Sequence, residues 1–144
     1  MKVYVCEEPT NEQLNNVDDL INMLSDEANA DQECAWVFSF TADCHLIAKD
    51  LISMGGFNRT YIDMKVLFKR VLNHNGSKLL LVHNHPNQTS EPSKADIDLT
   101  LHITKVANDL SLELLDHIII GIDKYSSIKS YIKEQTNENK EIKI

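Results

Sequence analysis

The hydrophobic pattern of the chain switches repeatedly between helical spacing and short apolar runs. Apolar residues recur every three or four positions in three stretches, which predicts helices over 9–24, 61–76 and 92–110. Runs rich in aliphatic, β-branched or aromatic residues predict strands over 33–40, 45–52, 78–83 and 112–121. The turn-like segment between the first two strands predicts a hairpin. Because strands and helices intermix, the pattern indicates an α/β (α+β) class, a mixed β-sheet flanked by helices.

Local signals predict where the helices begin and end. Thr10 suits the N-cap of the first helix, and His74-Asn75-Gly76 suits the end of the second. The third helix carries an apolar stripe of Leu99, Ile103, Val106 and Leu110. The polar end of the chain is expected to fray. These signals predict one domain over residues 1–135, followed by a polar C-terminal tail over 136–144.

Length and composition narrow the function classes. The 144 residues suit one domain with a real core, and 42% hydrophobic and 25% charged residues are ordinary globular values. No apolar run approaches the ~20 residues that span a bilayer, and the N-terminus does not resemble a signal peptide. Three scattered cysteines fit a reducing compartment. We therefore expect a cytoplasmic protein without a membrane partner.

The net charge bears on nucleic-acid binding. A protein that grips phosphates usually presents lysines and arginines on one face, because affinity comes from counterion release. Here the formal net charge is −8, and Phe68-Lys69-Arg70 with a few lysines is the main basic feature. Nucleic acid is therefore a possible partner that the charge disfavours.

The strand predicted over 78–83 ends at two histidines that are candidate metal ligands. Side chains two apart on a strand point to the same face, so His83 and His85 can reach one point, and Pro86 stops the strand there. Zinc sites combine imidazole with carboxylate ligands, and catalytic ones keep three protein ligands and a water. Asp96 is the obvious third ligand, because it lies one turn before Leu99 on the same helical stripe.

A simpler interpretation exists for each of these residues. An isolated His-x-His pair is weak support for a metal. Ser93-x-x-Asp96 at a helix start is typical of a capping box, and an aspartate in the first turn also suits the helix dipole. Taken alone, Asp96 is more often a cap than a ligand. The conjunction of the two patterns is what favours a metal site.

That conjunction, HxH-x7-S-x2-D, resembles the metal motif of the JAB/MPN (JAMM) metalloprotease superfamily and stands here as His83, His85, Ser93 and Asp96. The wider string VHNHPNQTSEPSKADIDLT, with LLDHIIIG downstream, resembles the RadC-like JAB domain of bacteria from about residue 10 to 131. The resemblance implies a JAB/MPN-like (cytidine-deaminase-like) fold. It leaves no room for the helix-hairpin-helix region of longer family members, so we expect the short, single-domain form.

The resemblance also implies a mechanism. Zn²⁺ held by His83, His85 and Asp96 would activate a water, and Glu33, at the matching early strand, would act as general base. Ser93 would stabilise the oxyanion, although capping competes for the same hydroxyl. The implied reaction is hydrolysis of a peptide or isopeptide bond in a peptide or protein substrate. Without that motif, Glu33 would be an ordinary solvated charge at a strand end.

The sequence departs from the family pattern at two places. Asn87, Gln88 and Thr89 stand where Ser-Gly-Asp is usual, which should change the backbone freedom of the loop beside the metal. The segment 63–66 reads Asp-Met-Lys-Val where His-Pro-Arg-Glu is usual. The presumed ligands and Glu33 are all retained. His117 we interpret as a hydrogen-bonded packing residue rather than a fourth ligand.

Two other function classes compete with the hydrolase. A DNA-associated role is traditional for the RadC family, and a metal site could serve nucleic-acid processing, but the acidic charge argues against it. A non-catalytic scaffold is the third class, and scaffolds of this superfamily typically lose motif residues that are retained here. Zinc binding without turnover in Glu33→Gln would favour the enzyme, and salt-dependent DNA binding would favour the second class.

Overall fold

A computed structural model describes residues 3–5, 17–24, 31–54, 62–122 and 124–142 of the chain. Six strands form one sheet in the order β1-β3-β2-β4-β5-β6. The strands are β1 Val3–Val5, β2 Cys34–Phe40, β3 Leu46–Met54, β4 Lys78–Asn84, β5 Glu113–Ile120 and β6 Tyr125–Ser127. The helices are α1 Val17–Met23, α2 Met64–Asn73, α3 Lys94–Asp109 and α4 Ile128–Ile142.

The sheet is mixed, as the sequence predicts. Strand β2 pairs antiparallel with β3 as a hairpin and with β4 on its other side, whereas β4 and β5 are parallel. The α3 crossover makes that parallel pairing possible, because parallel neighbours need a long connection. Nearly every residue of β4 is buried, which explains its almost unbroken apolar run.

Alternating side chains of β2 divide the core into two layers. Ala35 and Val37 face a cluster that includes residues of α2 and α3, while Trp36 and Phe38 face a second cluster that includes residues of α1. Phe38 is fully buried, so truncating it to alanine should cost ~3–5 kcal/mol. The layer against α2 and α3 is the face on which the candidate site lies.

The helix ends follow the local signals, with one correction. Asn75 adopts a positive φ of 53° just after α2, which confirms the stop signal there. Leu110 does not belong to the apolar stripe of α3: the helix ends at Asp109, and Leu110 is 44% exposed. The departing chain turns at Ser111, whose φ is 59°. Thr10 and Leu14 lie outside the described residues.

The polar C-terminal segment is helical as far as Ile142. Side chains outside the helix hold its first turn: Asp116 accepts a hydrogen bond from the backbone N–H of Lys129, and Ser127 accepts one from that of Ser130. Lysine, glutamate and glutamine also favour helix. Within the described ranges, no helix is long and apolar enough to cross a membrane.

Candidate metal centre

Two histidines meet at the end of β4. His83 pairs with Ala35 of β2 and with Ile119 of β5, so it lies in the middle of the sheet and is 3% exposed. His85 follows two residues later, and its Nε2 lies 2.9 Å from Nε2 of His83. The shared face predicted from the His-x-His spacing therefore brings both rings to one point.

Asp96 reaches the same point from the first turn of α3. Its Oδ1 lies 3.4 Å from Nε2 of His83, and its Oδ2 lies 3.4 Å from Nε2 of His85. The capping box also forms, because Oδ2 accepts from the Ser93 N–H and the Ser93 hydroxyl accepts from the Asp96 N–H. The cap and the convergence on the histidines, weighed as alternatives for Asp96, thus occur together.

These separations fit a tetrahedral zinc ion. Ligand atoms ~2.0–2.1 Å from zinc at tetrahedral angles lie about 3.3 Å from one another. The Nε2 atoms of His83 and His85 lie 2.9 Å apart, and each lies 3.4 Å from a different carboxylate oxygen of Asp96. Two imidazoles and a carboxylate are also ligand types that zinc prefers. The residues present therefore suit the metal in both chemistry and spacing.

The opposite nitrogen of each ring is already engaged. Nδ1 of His85 lies 3.0 Å from the carbonyl oxygen of Thr89, and because a carbonyl can only accept, we assign the proton to Nδ1. With that proton on Nδ1, the other ring nitrogen of His85, Nε2, faces His83 and Asp96. Nδ1 of His83 lies 2.6 Å from Nε2 of His117, which is fully buried and hydrogen-bonded as the sequence predicts.

A tight turn fixes the loop that follows His85. The N–H of Gln88 donates to the carbonyl of His85 across Pro86 and Asn87, and Asn87 has a φ of 58°. Proline followed by a residue with positive φ is typical of a type II turn, and asparagine tolerates that conformation better than most residues. The positive φ of this loop thus falls on Asn87 and not on Gln88, which stands where the family glycine is usual. The turn brings the Thr89 carbonyl to His85.

Burial and charge set the protonation of the three groups. Burial lowers the pKa of His83 to about 4, so this ring is neutral at pH 7. The hydrogen bond to Asp96 raises the pKa of His85. Burial works to raise the pKa of Asp96, but the hydrogen bond to His85, the electrostatic interaction with His83 and the hydrogen bonds with Ser93 outweigh it and hold that pKa well below its usual range.

Glu33 lies just before β2, beside the histidine pair. One carboxylate oxygen and the ligand nitrogens of His83 and His85 all lie within 4.8 Å of one another. The side chain of Asn84, on the opposite face of β4, accepts from the Cys34 N–H at 2.6 Å and donates to the Gln32 carbonyl at 3.1 Å. These two bonds hold the backbone on both sides of Glu33. This role of Asn84 was not predicted from the sequence, although its place between the two histidines was a usable signal.

Other candidate residues are engaged elsewhere. His45 contacts Asp43 in the hairpin turn, and His74 contacts Asp50. The departure from the family pattern at 63–66 has a structural role, because Asp63 is the N-cap of α2 and accepts from the Lys65 N–H at 2.8 Å. The catalytic roles of Glu33 and Ser93 stay predictions.

Sequence comparison places this chain in a family. The family model described as the RadC-like JAB domain matches residues 14–135. A UPF0758 protein of Desulfitobacterium hafniense is 32% identical over 117 residues, which are 81% of this chain and 52% of that protein. A UPF0758 protein of Porphyromonas gingivalis is 37% identical over 92 residues, 64% of this chain and 40% of that protein. This chain therefore spans about half the length of these relatives, and it belongs to the RadC-like JAB domain family.

Proposed function

We propose that this domain is a zinc-dependent hydrolase of the JAMM type that cleaves an amide bond in a peptide or protein substrate. The observation that carries the proposal is the convergence of two imidazole Nε2 atoms and one carboxylate within 2.9–3.4 Å. Such a group of electron-pair donors is held together by shared protons or by a cation that lies among them. A glutamate within 4.8 Å of the histidine nitrogens adds a base at the distance that one intervening water needs.

Each residue has a defined task in this proposal. His83, His85 and Asp96 would hold zinc, which when bound supplies a Lewis acid that lowers the pKa of water and polarises a carbonyl. Glu33 accepts the proton of the attacking water at a carboxylate oxygen and returns it to the nitrogen of the leaving amine. The Ser93 hydroxyl accepts at the helix cap but keeps its own proton, so it can donate to the developing oxyanion.

Metal content is the first test. We expect about one zinc per chain in protein purified without added metal or a histidine tag, and its loss in His85→Ala and Asp96→Ala. His102→Ala on the exposed surface of α3 is a matched control that removes a histidine away from the centre. A wild-type protein that stays metal-free and resists reconstitution with zinc would overturn the proposal and favour a scaffold.

Turnover is the second test. Peptide and isopeptide libraries incubated with the zinc-loaded protein should yield new amine termini, and Glu33→Gln should abolish them while keeping the zinc. Loss of ~10²–10⁴-fold is usual when a general base is removed. Cleavage of nucleic acid with steep salt dependence, in place of peptide cleavage, would support the DNA-associated alternative.

A further inference from the structure

A buried chain of three side chains lies directly behind the candidate centre. Nδ1 of His83 lies 2.6 Å from Nε2 of His117, and Nδ1 of His117 lies 2.7 Å from the hydroxyl oxygen of Thr100. That hydroxyl also lies 2.8 Å from the backbone carbonyl of Asp96. The three side chains are at most 3% exposed, so water does not compete for these bonds.

The protons along this series of hydrogen bonds can be arranged in two senses, which differ in the direction of donation. If the Thr100 hydroxyl donates to His117, then His117 donates from Nε2 to His83, and the remaining proton of neutral His83 points at the centre from Nε2. If Thr100 donates to the Asp96 carbonyl instead, it must accept from Nδ1 of His117. His83 then donates from Nδ1 to His117 and presents the lone pair of Nε2 to the centre. Only the second sense lets His83 bind a metal.

The Asp96 carbonyl favours the second sense. It can accept but never donate, and the Thr100 hydroxyl lies one helical turn away at 2.8 Å, the usual place for a threonine to donate back to the carbonyl four residues earlier. Once that proton is committed, each later bond has one possible direction. The direction of the whole chain is thus set by a backbone atom of the third presumed ligand.

We propose that Thr100 and His117 are positioning residues that hold His83 as its Nδ1–H tautomer, with Nε2 directed at the metal. This inference rests on the proposed function for its consequence, because the tautomer matters to zinc affinity. The tautomer itself is a property of the protein without metal. Outer partners of ligating histidines typically change metal affinity 10–100-fold when removed.

Helix α3 therefore contributes two residues to the centre, one in front of it and one behind it. Helix α3 supplies the Asp96 carboxylate to the front of the site and, through Thr100, orders the protons behind His83. A shift of α3 relative to β4 and β5 would change both together. Neither His117 nor Thr100 lies at the point where the ligands converge. Their effect is therefore on the orientation of His83 and not on the reaction itself.

Ring tautomers can be read directly by long-range ¹H–¹⁵N NMR on metal-free protein with labelled histidines. We expect the Nδ1–H form for both His83 and His117. An Nε2–H form of His117 would overturn the inference, whether or not the protein binds zinc. If the rings are as expected but zinc never binds, the inference stands and the proposed function falls.

Paired substitutions test the consequence. Thr100→Val keeps the shape but removes the hydroxyl, and we expect its zinc affinity, measured by competition with a chromophoric chelator, to fall 10–100-fold. Thr100→Ser keeps the hydroxyl, so its zinc affinity should match that of wild type. Unchanged tautomers and equal affinity in Thr100→Val would overturn the inference.

A second pair of substitutions tests the His117 ring directly. His117→Gln offers a side-chain carbonyl that can accept from Nδ1 of His83, whereas His117→Leu offers none. We expect the cobalt-substituted glutamine variant to keep the wild-type visible spectrum, and the leucine variant to alter it. Identical spectra in both variants, with both proteins folded by circular dichroism, would overturn the positioning role.

Discussion

Two histidine contacts in the described part of the chain look alike in distance but differ in whether the second ring nitrogen faces further ligand atoms. At the end of β4, His83 bonds His117 through one nitrogen and directs the other at His85 and Asp96. At the end of α2, Nε2 of His74 lies 3.0 Å from the carboxylate of Asp50, which is fully buried. The first contact lies behind the converging side chains of His83, His85 and Asp96, which we call the open set. The second contact, between His74 and Asp50, is a local pair.

The difference shows how a structural histidine can be told from a ligating one. His74 lies opposite one carboxylate, and its Nε2 contacts a single oxygen of Asp50. The Nε2 atoms of His83 and His85 instead face each other and a carboxylate, and both Nδ1 atoms are already bonded. Burial and contact distance do not separate the two cases. The number of electron-pair donors left converging on one point does.

Removing zinc should have the largest effect and act on the open set alone. A ligand at about 1,000 times its dissociation constant stabilises a fold by ~4 kcal/mol, which for a chain of this size is a melting shift of about 10 °C. We expect chelation to lower the melting temperature of wild-type protein by that order. The shift should vanish in Asp96→Ala and persist in His74→Gln. A shift that survives in Asp96→Ala would contradict the proposed ligand set.

Acid should destabilise the metal-free protein through the buried rings of His83 and His117. Burial lowers the pKa of His83 to about 4 and that of His117 well below its usual value, while unfolded rings titrate near 6.5. The unfolded chain therefore binds more protons between these values, so this stability is complete above pH ~6.5 and is lost as the pH falls towards ~4. His85, whose pKa is raised, opposes the trend, because its contribution is present below pH ~6.5 and lost above it.

Urea unfolding in steps across that window measures the effect, with a limiting slope of about 1.4 kcal/mol per pH unit for each titrating ring. His117→Gln removes one of the two rings with a lowered pKa, so its slope should be shallower than that of wild type. Stability that stays flat or rises on acidification would show that these rings are not held neutral.

Breaking the local pair should cost stability without touching the metal. His74→Ala leaves the carboxylate of Asp50, 0% exposed, without its histidine donor, and an unsatisfied buried group costs ~1–3 kcal/mol. His74→Gln can still donate and should lose less. Urea unfolding measures both, and zinc affinity should equal that of wild type. Equal losses in the two variants would mean that the hydrogen bond is not what stabilises this region.

The smallest effect is expected at Asn84, which lies between the two histidines but faces away from them. Asn84→Ala removes the acceptor for the Cys34 N–H and the donor to the Gln32 carbonyl, at a cost of ~1–2 kcal/mol. We expect faster hydrogen exchange at the Cys34 amide with zinc affinity retained. Protection at Ser39, further along β2, is the internal control. Unchanged exchange at Cys34 would contradict the role of Asn84 in holding Glu33.

Much of the fold follows from short-range pattern. The strand prediction over 78–83 succeeded because an apolar run ending in proline leaves few alternatives, and the helix start at Ser93 succeeded because the capping box is local. The edge strands β1 and β6 were missed, since three residues carry too little periodicity to detect. The apolar stripe was extended too far at Leu110 because spacing alone does not show where a helix ends.

By itself, the sequence determined the composition of the candidate centre. The spacing of His83 and His85 on a strand and the place of Asp96 in the first turn of a helix are local properties, and local properties can be read along the chain. The tertiary structure decided which partners stand behind those residues. His117 lies 34 residues from His83, and Asn84 holds a backbone 50 residues away. Such contacts depend on strand order and register, which arise only when distant segments pack against one another.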